Sequence, residues 1–378
     1  MIPFNRSTIQ GREFEYIAEA MRNGQIAGDQ QFSRKCQALL EERLGVKKVL
    51  VTTSCTHALE MAALLLDIKE GDEVIVPDFT FVSTANAFVM RGARPVFCDI
   101  RRDTMNLDEQ QLESLITPRT RAIIPVHYAG VACEMDVIMD IADRYGIPVV
   151  EDNAHGLLGK YKDKYLGTFG ALATQSFHET KNITCGEGGA LIINDERYIE
   201  RAEILREKGT DRSKFFRGEV DKYGWVDIGS NYVMSDVLAA FLFGQLEQMD
   251  AVQTRRRDIW VRYNDELREW AEMNAVELPV IQWYCEPAWH MYQLVMPSPE
   301  ARSHFIRHMK QAGVICVFHY QPLHLSRHAE RWKGLRGDFP VTEYVSDRLV
   351  RLPFYNDLGI EDQQYIMDHV LSCRVGRT

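Results

Sequence analysis

The chain contains 378 residues, of which 46% are hydrophobic and 26% are charged, proportions typical of a globular protein with a sizeable buried core. Its net charge of −10 argues against a nucleic-acid partner, which usually requires a basic face, although local sites can still bind small anions. The sequence has no apolar run of about 18 residues, no apolar leader after Met1 and no C-x-x-C pair among its cysteines. We therefore expect a cytoplasmic protein with reduced thiols and no membrane partner.

Short apolar segments alternate with amphipathic helical patterns between residues 48 and 152. The segments are rich in Val and Ile and too short for helices, so they predict strands in a mostly parallel sheet covered by helices on both faces. Ligands of such sheets bind beyond the carboxyl ends of the strands, which makes the residues after each strand the candidates for a site. The predicted strands are 48–52, 73–76, 95–99, 121–126 and 147–151, and the predicted helices are 56–66, 83–90, 108–115 and 134–145.

The pattern changes after residue 190. Residues 197–208 and 235–275 read as largely helical, and a mixed region from about 280 ends in a helix near 360–371. This change predicts two domains, a large one over residues 1–250 with an N-terminal arm and a smaller C-terminal α/β domain over residues 251–378.

Two segments that follow the first strands carry candidate ligand contacts. In Ser54-Cys55-Thr56 a strand enters a helix through small hydroxyl residues, and the free N–H groups of a helix start bind anions. An ordinary Ser/Thr helix cap explains the same residues. In Asp78-Phe-Thr-Phe81 the second phenylalanine is placed to stack on a planar cofactor or to pack in the core.

The strand at 147–151 ends in a polar cluster, Glu151-Asp152-Asn-Ala-His155. A carboxylate at this position suits a cationic ring nitrogen, such as the protonated pyridine of pyridoxal phosphate (PLP), whose electron withdrawal depends on that partner. The alternative is an acidic loop that caps a helix.

Lys181 follows a predicted strand at 171–177 and precedes the turn Gly186-Glu-Gly-Gly. A solvated loop lysine is the default interpretation for any single lysine. The glycines do not form the G-x-x-x-x-G-K-[ST] motif or a strand-to-helix G-x-G-x-x-G motif, so they indicate a tight turn where backbone approaches a ligand closely. Together, a helix start for phosphate, a stacking aromatic, a ring-nitrogen carboxylate and this lysine predict a PLP site with a Schiff base on Lys181.

At these residues the chain resembles, over essentially its whole length, the sugar-nucleotide aminotransferases of the DegT/DnrJ/EryC1/StrS family. The resemblance implies the type I PLP-dependent aminotransferase fold, an α/β fold, with PLP or its amino form, pyridoxamine phosphate (PMP), as cofactor. The matching segments are Gly28-Asp-Gln-Gln-Phe, Glu151-Asp152, Ser176-x-His178-x-x-Lys181, Gly186-Glu-Gly-Gly, Asp227-Ile-Gly-Ser-Asn231-Tyr, His319-Tyr-x-Pro-Leu-His324 and Leu352-Pro.

Within the family, longer stretches are most similar to the members that form dTDP-4-amino-4,6-dideoxygalactose in enterobacterial common antigen synthesis. This similarity implies amino transfer from glutamate to the 4-keto carbon of dTDP-4-dehydro-6-deoxy-D-glucose. A UDP-linked 4-keto sugar, a 3-keto dTDP sugar and a non-catalytic binding protein with the same fold stay open as alternatives. The stretches that carry the similarity are 126–136, 176–182, 206–211 and 215–223.

The resemblance also implies a role for each candidate residue. Lys181 holds the cofactor and shuttles protons, Asp152 pairs with the ring nitrogen, and His155 lies near the ring face or its phenolic oxygen. Asn231 reaches the phosphate of the neighbouring subunit, which implies a homodimer with shared sites. No metal is expected, because the histidines are not spaced as a metal site. The remaining cofactor contacts are Ser54, Cys55, Thr56, Phe81 and Ser176, and the substrate candidates are Gly28, Asp29, His319, Tyr320 and His324.

Overall fold

The computed structural model of the protein describes residues 1–24, 26–332 and 334–375. Strands alternate with helices up to residue 193, and helices predominate afterwards. The helices are α1 (Glu13–Arg22), α2 (Gln31–Leu44), α3 (Cys55–Leu65), α4 (Val82–Val89), α5 (Glu109–Leu112), α6 (Met135–Tyr145), α7 (Ile199–Arg206), α8 (Arg212–Phe216), α9 (Asp236–Leu246), α10 (Met249–Met273), α11 (Pro299–Gln311), α12 (Pro340–Arg348) and α13 (Ile360–Ser372). The strands are β1 (Lys48–Thr52), β2 (Glu73–Pro77), β3 (Arg94–Cys98), β4 (Thr120–Ile123), β5 (Val150–Asp152), β6 (Lys160–Tyr161), β7 (Lys164–Tyr165), β8 (Leu172–Ser176), β9 (Gly189–Ile193), β10 (Cys285–Glu286), β11 (Gln293–Val295) and β12 (Leu349–Arg351).

The central sheet consists of two groups of strands, β3-β2-β4 and β1-β9-β8-β5. Parallel bridges from Ile123 to Val149 and from Val126 to Asp152 join the groups through β4 and β5. β2 is parallel to β3 and β4, and β5 is parallel to β8, which confirms the predicted mostly parallel α/β sheet. β9 runs antiparallel to both β1 and β8, because the glycine turn at 186–188 returns the chain beside β8 without a crossover helix.

α3 connects this sheet to the candidate site. It begins directly after β1, and the Ser54 side chain caps it by accepting a hydrogen bond of 3.1 Å from the His57 N–H. The apolar residues of its inner face, among them Leu59 and Met61, are buried against the sheet. The first turn of α3, with its free amides, therefore lies at the carboxyl edge of the strands.

A second core is built by α10, α11, α13, β11 and β12. It also contains Ile2, whose N–H donates to the Gly313 carbonyl at 2.8 Å while its own carbonyl accepts from Ile315 at 3.0 Å. The first residues thus pack with the C-terminal part, although the predicted division placed them in the large domain. Within the described ranges, no helix combines the length and the apolarity that crossing a bilayer requires.

Candidate active site

A cavity of about 530 Å³ opens at the carboxyl ends of the central strands. Its walls come from the first turn of α3, the loops after β2, β5 and β8, and segments of the C-terminal part. The structure brings together there most of the predicted site residues, namely Ser54, Cys55, Thr56, Phe81, Asp152, His155, Ser176, Lys181, His319 and Tyr320.

Lys181 projects into this cavity from the loop after β8. Removal from water lowers the pKa of its amine to about 8, and the positive charge of Arg351 acts in the same direction, while Cys55 and Asp152 act against it. With this pKa, roughly a tenth of the amine is neutral and nucleophilic at pH 7, far more than for an ordinary lysine. Lys181 is also only partly exposed and lines the cavity, which argues against the solvated loop lysine of the default interpretation.

Asp152 ends β5 with its carboxylate buried. Thr84 Oγ1 donates to its Oδ2 at 2.7 Å, and the Ala154 N–H donates to Oδ1 at 3.2 Å. Burial nevertheless raises the pKa of Asp152, because these two bonds do not replace the lost water. A cationic ring nitrogen placed against the carboxylate would offset that cost.

Another part of the cavity wall is suited to an anion. Here the first turn of α3 presents backbone amides beside the hydroxyls of Thr56 and Ser176. Gly189 of β9 lies so close that a Cβ atom at this position would collide with the backbone nitrogen of Cys55. Position 189 therefore requires glycine, because β9 packs directly against the start of α3.

His155 supplies a further unsatisfied group. Its ring stacks on His290 with centroids 4.2 Å apart, and its Nε2 lies 3.4 Å from the Tyr320 hydroxyl. Burial lowers the pKa of His155, which keeps the imidazole neutral. Its buried Nδ1 has no hydrogen-bond partner in the described part of the chain and can serve a ligand.

These groups fit PLP. The cofactor carries a pyridine nitrogen, a phosphate, an aldehyde and a phenolic oxygen. Asp152, the first turn of α3, Lys181 and the free nitrogen of His155 match those four groups in chemical type. Phe81 lies at the start of α4 with 55% of its surface exposed, which leaves it available to cover a planar ring.

Three predicted residues lie outside the cavity of a single chain. Asp29 forms an ion pair with the buried guanidinium of Arg206, and Gly28 lies so near Val233 that any side chain there would collide with it. Asn231 is exposed and pairs by an isolated bridge with Glu207.

His324 also lies outside the cavity, so the substrate-side role predicted for it does not fit its position. The residue is 2% exposed, its Nδ1 lies 2.6 Å from Asp78 Oδ2, and its Nε2 lies 3.3 Å from Glu343 Oε1. Both ring nitrogens are occupied by carboxylates, which makes the residue a buried link between the loop after β2 and α12. Among the residues that the structure describes, no group of three or more His, Cys, Asp or Glu is arranged to hold a metal ion.

The cavity includes residues that the sequence did not reveal, namely Phe4, His290, Arg351 and Phe354. None of them directly follows a strand of the central sheet, and the sequence pattern predicted candidates only at those positions. Leu352-Pro, a segment similar to the family, lies directly after Arg351 and was the only available signal.

The low pKa of Lys181 predicts how the cofactor-free protein captures PLP. Only the neutral amine attacks an aldehyde, so the capture rate rises with pH and levels off above about 8. Stopped-flow absorbance measures this rate. Nα-acetyl-lysine is the control, because its rate keeps rising towards about pH 10.4. A protein profile that follows the control would contradict the lowered pKa of the Lys181 amine.

Comparisons with known proteins agree with this geometry. A profile of the DegT/DnrJ/EryC1/StrS aminotransferase family matches residues 7–371. The protein MJ1066 of Methanocaldococcus jannaschii is 35% identical over 96% of this chain and 94% of its own. The spore coat polysaccharide biosynthesis protein SpsC of Bacillus subtilis is 31% identical over 98% and 96%. The structure of Spr1654 from Streptococcus pneumoniae in its PMP form superposes with a TM-score of 0.92 at 26% identity, over 98% of each chain, and Spr1654 is also known in a PLP form.

Proposed function

The chain belongs to the DegT/DnrJ/EryC1/StrS aminotransferase family and is a PLP-dependent aminotransferase, and on that premise we propose that it transfers the amino group of glutamate to the 4-keto carbon of dTDP-4-dehydro-6-deoxy-D-glucose. The observation that carries the amino-transfer chemistry is the partly buried amine of Lys181, in one cavity with Asp152 and the first turn of α3. The sugar rests on the similarity of segments 126–136 and 215–223, and polysaccharide synthesis by the relative SpsC is consistent with it.

When bound, PLP supplies an aldehyde that takes up the amino group and a ring that withdraws electrons from the reacting carbon. The residues of the chain do the rest. Lys181 anchors the aldehyde, and its amine, once released by the amino donor, takes and returns the proton at the reacting carbon. Asp152 keeps the ring nitrogen protonated, and the first turn of α3 holds the phosphate. Neutral His155 contributes a hydrogen bond without adding a charge.

The proposal is tested by separating the two half-reactions. L-Glutamate alone should convert the PLP form to the PMP form and release 2-oxoglutarate, and the keto sugar alone should reverse that conversion. A panel of 4-keto and 3-keto sugars, each linked to dTDP and to UDP, then identifies the acceptor by product analysis. We expect ping-pong kinetics and the highest kcat/KM for the dTDP-linked 4-keto sugar. A requirement for both substrates bound at once, or a clear preference for a UDP-linked or 3-keto sugar, would overturn the proposal.

We further propose that the active enzyme is a homodimer in which Asn231 completes the partner's phosphate site. Segment 212–231 exposes large apolar side chains, including Phe216 at 66%, Trp225 at 84% and Val226 at 56%. Several large apolar side chains exposed within one segment favour an interface, and a symmetric pair of chains would cover them on both copies.

Mixed dimers test the shared site. We expect Lys181→Ala and Asn231→Asp to be inactive separately, the second because its carboxylate repels the phosphate. Co-refolding equal amounts should restore about a quarter of the wild-type activity, since half the dimers are mixed and each has one intact site.

The control is a mixture of Lys181→Ala with Asp152→Asn. Both changes lie in the site of their own chain, so this mixture should stay inactive. If the Asn231→Asp mixture is equally inactive, Asn231 does not act across the interface.

A further inference from the structure

Arg256 of α10 is a buried cation that is bonded to neutral oxygen atoms. The residue is 2% exposed, and among the described residues no carboxylate lies within salt-bridge distance of its guanidinium. Its Nε donates to the Trp289 carbonyl at 2.9 Å, its Nη2 to the His290 carbonyl at 2.5 Å and its Nη1 to Asn356 Oδ1 at 2.7 Å. Because a buried charge with no opposite partner is costly, the residue is better explained by what these oxygens hold in place.

The first segment that Arg256 holds is strained. Trp289 has a φ of +52°, in the left-handed region that a bulky aromatic residue seldom occupies. Such a conformation costs free energy and persists only where its surroundings fix it. The next residue, His290, lines the cavity and stacks on the ring of His155. By bonding both carbonyls of this dipeptide, Arg256 therefore fixes the backbone that carries the ring under His155.

The second connection from Arg256 reaches the loop of Lys181. Asn356 Nδ2 donates to the backbone carbonyl of Asn182 at 3.1 Å, and Asn182 directly follows Lys181. The side chain of Asn182 donates through Nδ2 to the Ala288 carbonyl at 2.6 Å, so its Oδ1, 2.9 Å away, accepts from His290 Nδ1. The backbone and the side chain of Asn182 are thus held by the two residues that Arg256 itself bonds, Asn356 and His290.

We propose that Arg256 is a positioning residue, which acts through Asn356 and His290 to hold the loop that places the Lys181 amine in the cavity. The four residues Arg256, Asn356, Asn182 and His290 form what we call the Arg256 network. This inference rests on the proposed function, in which that amine anchors the aldehyde and moves the proton. Arg256 does not line the cavity, so it acts only through these neighbours.

The Lys181 amine itself provides a readout of its position. Its pKa is lowered mainly by removal from water, and the charged or ionisable groups that also shift it are Cys55, Asp152 and Arg351. The charge of Arg256 is not among them. A change of the Lys181 pKa in an Arg256 variant would therefore report a changed position of the amine and not a lost charge.

The test compares Arg256→Lys with Arg262→Lys. Lysine keeps the charge, but a single ammonium group cannot reproduce the planar fork that bonds three separate oxygens. Arg262 is the matched control, because it lies further along α10 and donates to the Ile360 carbonyl at 3.0 Å and to Gln364, outside the Arg256 network.

The pH profile of PLP capture by the cofactor-free protein is measured for each variant. We expect Arg256→Lys to lower the capture rate about tenfold at pH 7, because a loosened loop gives the amine more contact with water and raises its pKa by about one unit. The plateau rate near pH 10 should stay within about twofold of wild type, and Arg262→Lys should match wild type at every pH. A general structural defect would instead lower the rate by the same factor at all pH values.

Asn356→Ala breaks only the connection between Arg256 and the Asn182 carbonyl, so it decides the question if Arg256→Lys does not fold. We expect the same shift of the capture profile. Both half-reactions should also slow by similar factors at saturating substrate, since Lys181 moves the proton in each.

An unchanged capture profile in a folded variant, or a loss that is independent of pH, would overturn the inference. A raised KM for one substrate with an unchanged profile would assign the Arg256 network to substrate binding and would overturn it too. A wild-type protein whose capture rate keeps rising towards pH 10 would instead refute the proposed role of Lys181.

Discussion

We expect the Lys181→Ala variant to lose the visible absorbance of covalently held cofactor and to lower amino transfer by about 10⁴-fold. Alanine removes both the anchor for the aldehyde and the amine that moves the proton at the reacting carbon. The fold should survive, because the lysine side chain lines an open cavity and is not packed in a core cluster. Absorbance spectra after addition of PLP, together with single-turnover rates with glutamate, measure the two losses separately.

Lys160→Ala is the matched control for this result. Lys160 pairs with Glu286 at 3.0 Å and lies outside the cavity. Its removal should change neither the spectrum nor the rate, since an exposed ion pair contributes little. If Lys181→Ala kept the absorbance and the rate of wild type, another residue would have to hold the cofactor.

The second large effect is expected at Asp152. In Asp152→Asn the amide cannot keep the ring nitrogen protonated, so we expect cofactor to bind but the proton-transfer step to slow by about 10³-fold. Half-reactions with glutamate, followed by absorbance, give the rate. A cofactor methylated on the ring nitrogen carries a permanent positive charge and should restore much of the activity of the variant. Absence of any rescue would mean that Asp152 acts in some other way.

Glu151→Gln distinguishes this chemical role from a structural one. Glu151 is fully buried and accepts hydrogen bonds from the backbone N–H groups of Gly167, Phe169 and Gly170. The neutral amide should therefore lower the free energy of unfolding by about 1–3 kcal/mol. Rescue by the methylated cofactor should be absent in this variant. Substitution of Glu151 would thus lower the stability of the protein, whereas substitution of the adjacent Asp152 would lower the rate of catalysis.

Much of the central sheet could be predicted from the sequence, because each strand and helix carries its own periodicity. The ends of β4 and β5 differ from the predicted ones by a few residues, since short strands end where their neighbours stop pairing. The antiparallel direction of β9 was not predicted, because it depends on which strands meet across the sheet and not on the segment itself.

The candidate site likewise contains residues that the sequence could predict and residues that it could not. Asp152, Lys181 and the first turn of α3 follow strands of one sheet, so topology alone brings them together. His290 and Arg351 reach the cavity only because the C-terminal part packs against that sheet edge, which no local pattern encodes. The prediction for His324 did not fit because it rested on the similarity of its segment to the family. In the structure, contacts with Asp78 and Glu343 hold its ring away from the cavity.

The central claim is that Lys181 holds the cofactor, and borohydride reduction tests it most directly. Reduction makes the link between lysine and cofactor permanent, and mass spectrometry of the digested protein then identifies the labelled residue. We predict that the pyridoxyl group is found on the peptide that contains Lys181, and that the Lys160→Ala variant gives the same result. Label on a different lysine, or no label on a protein that has lost its visible absorbance, would contradict the account.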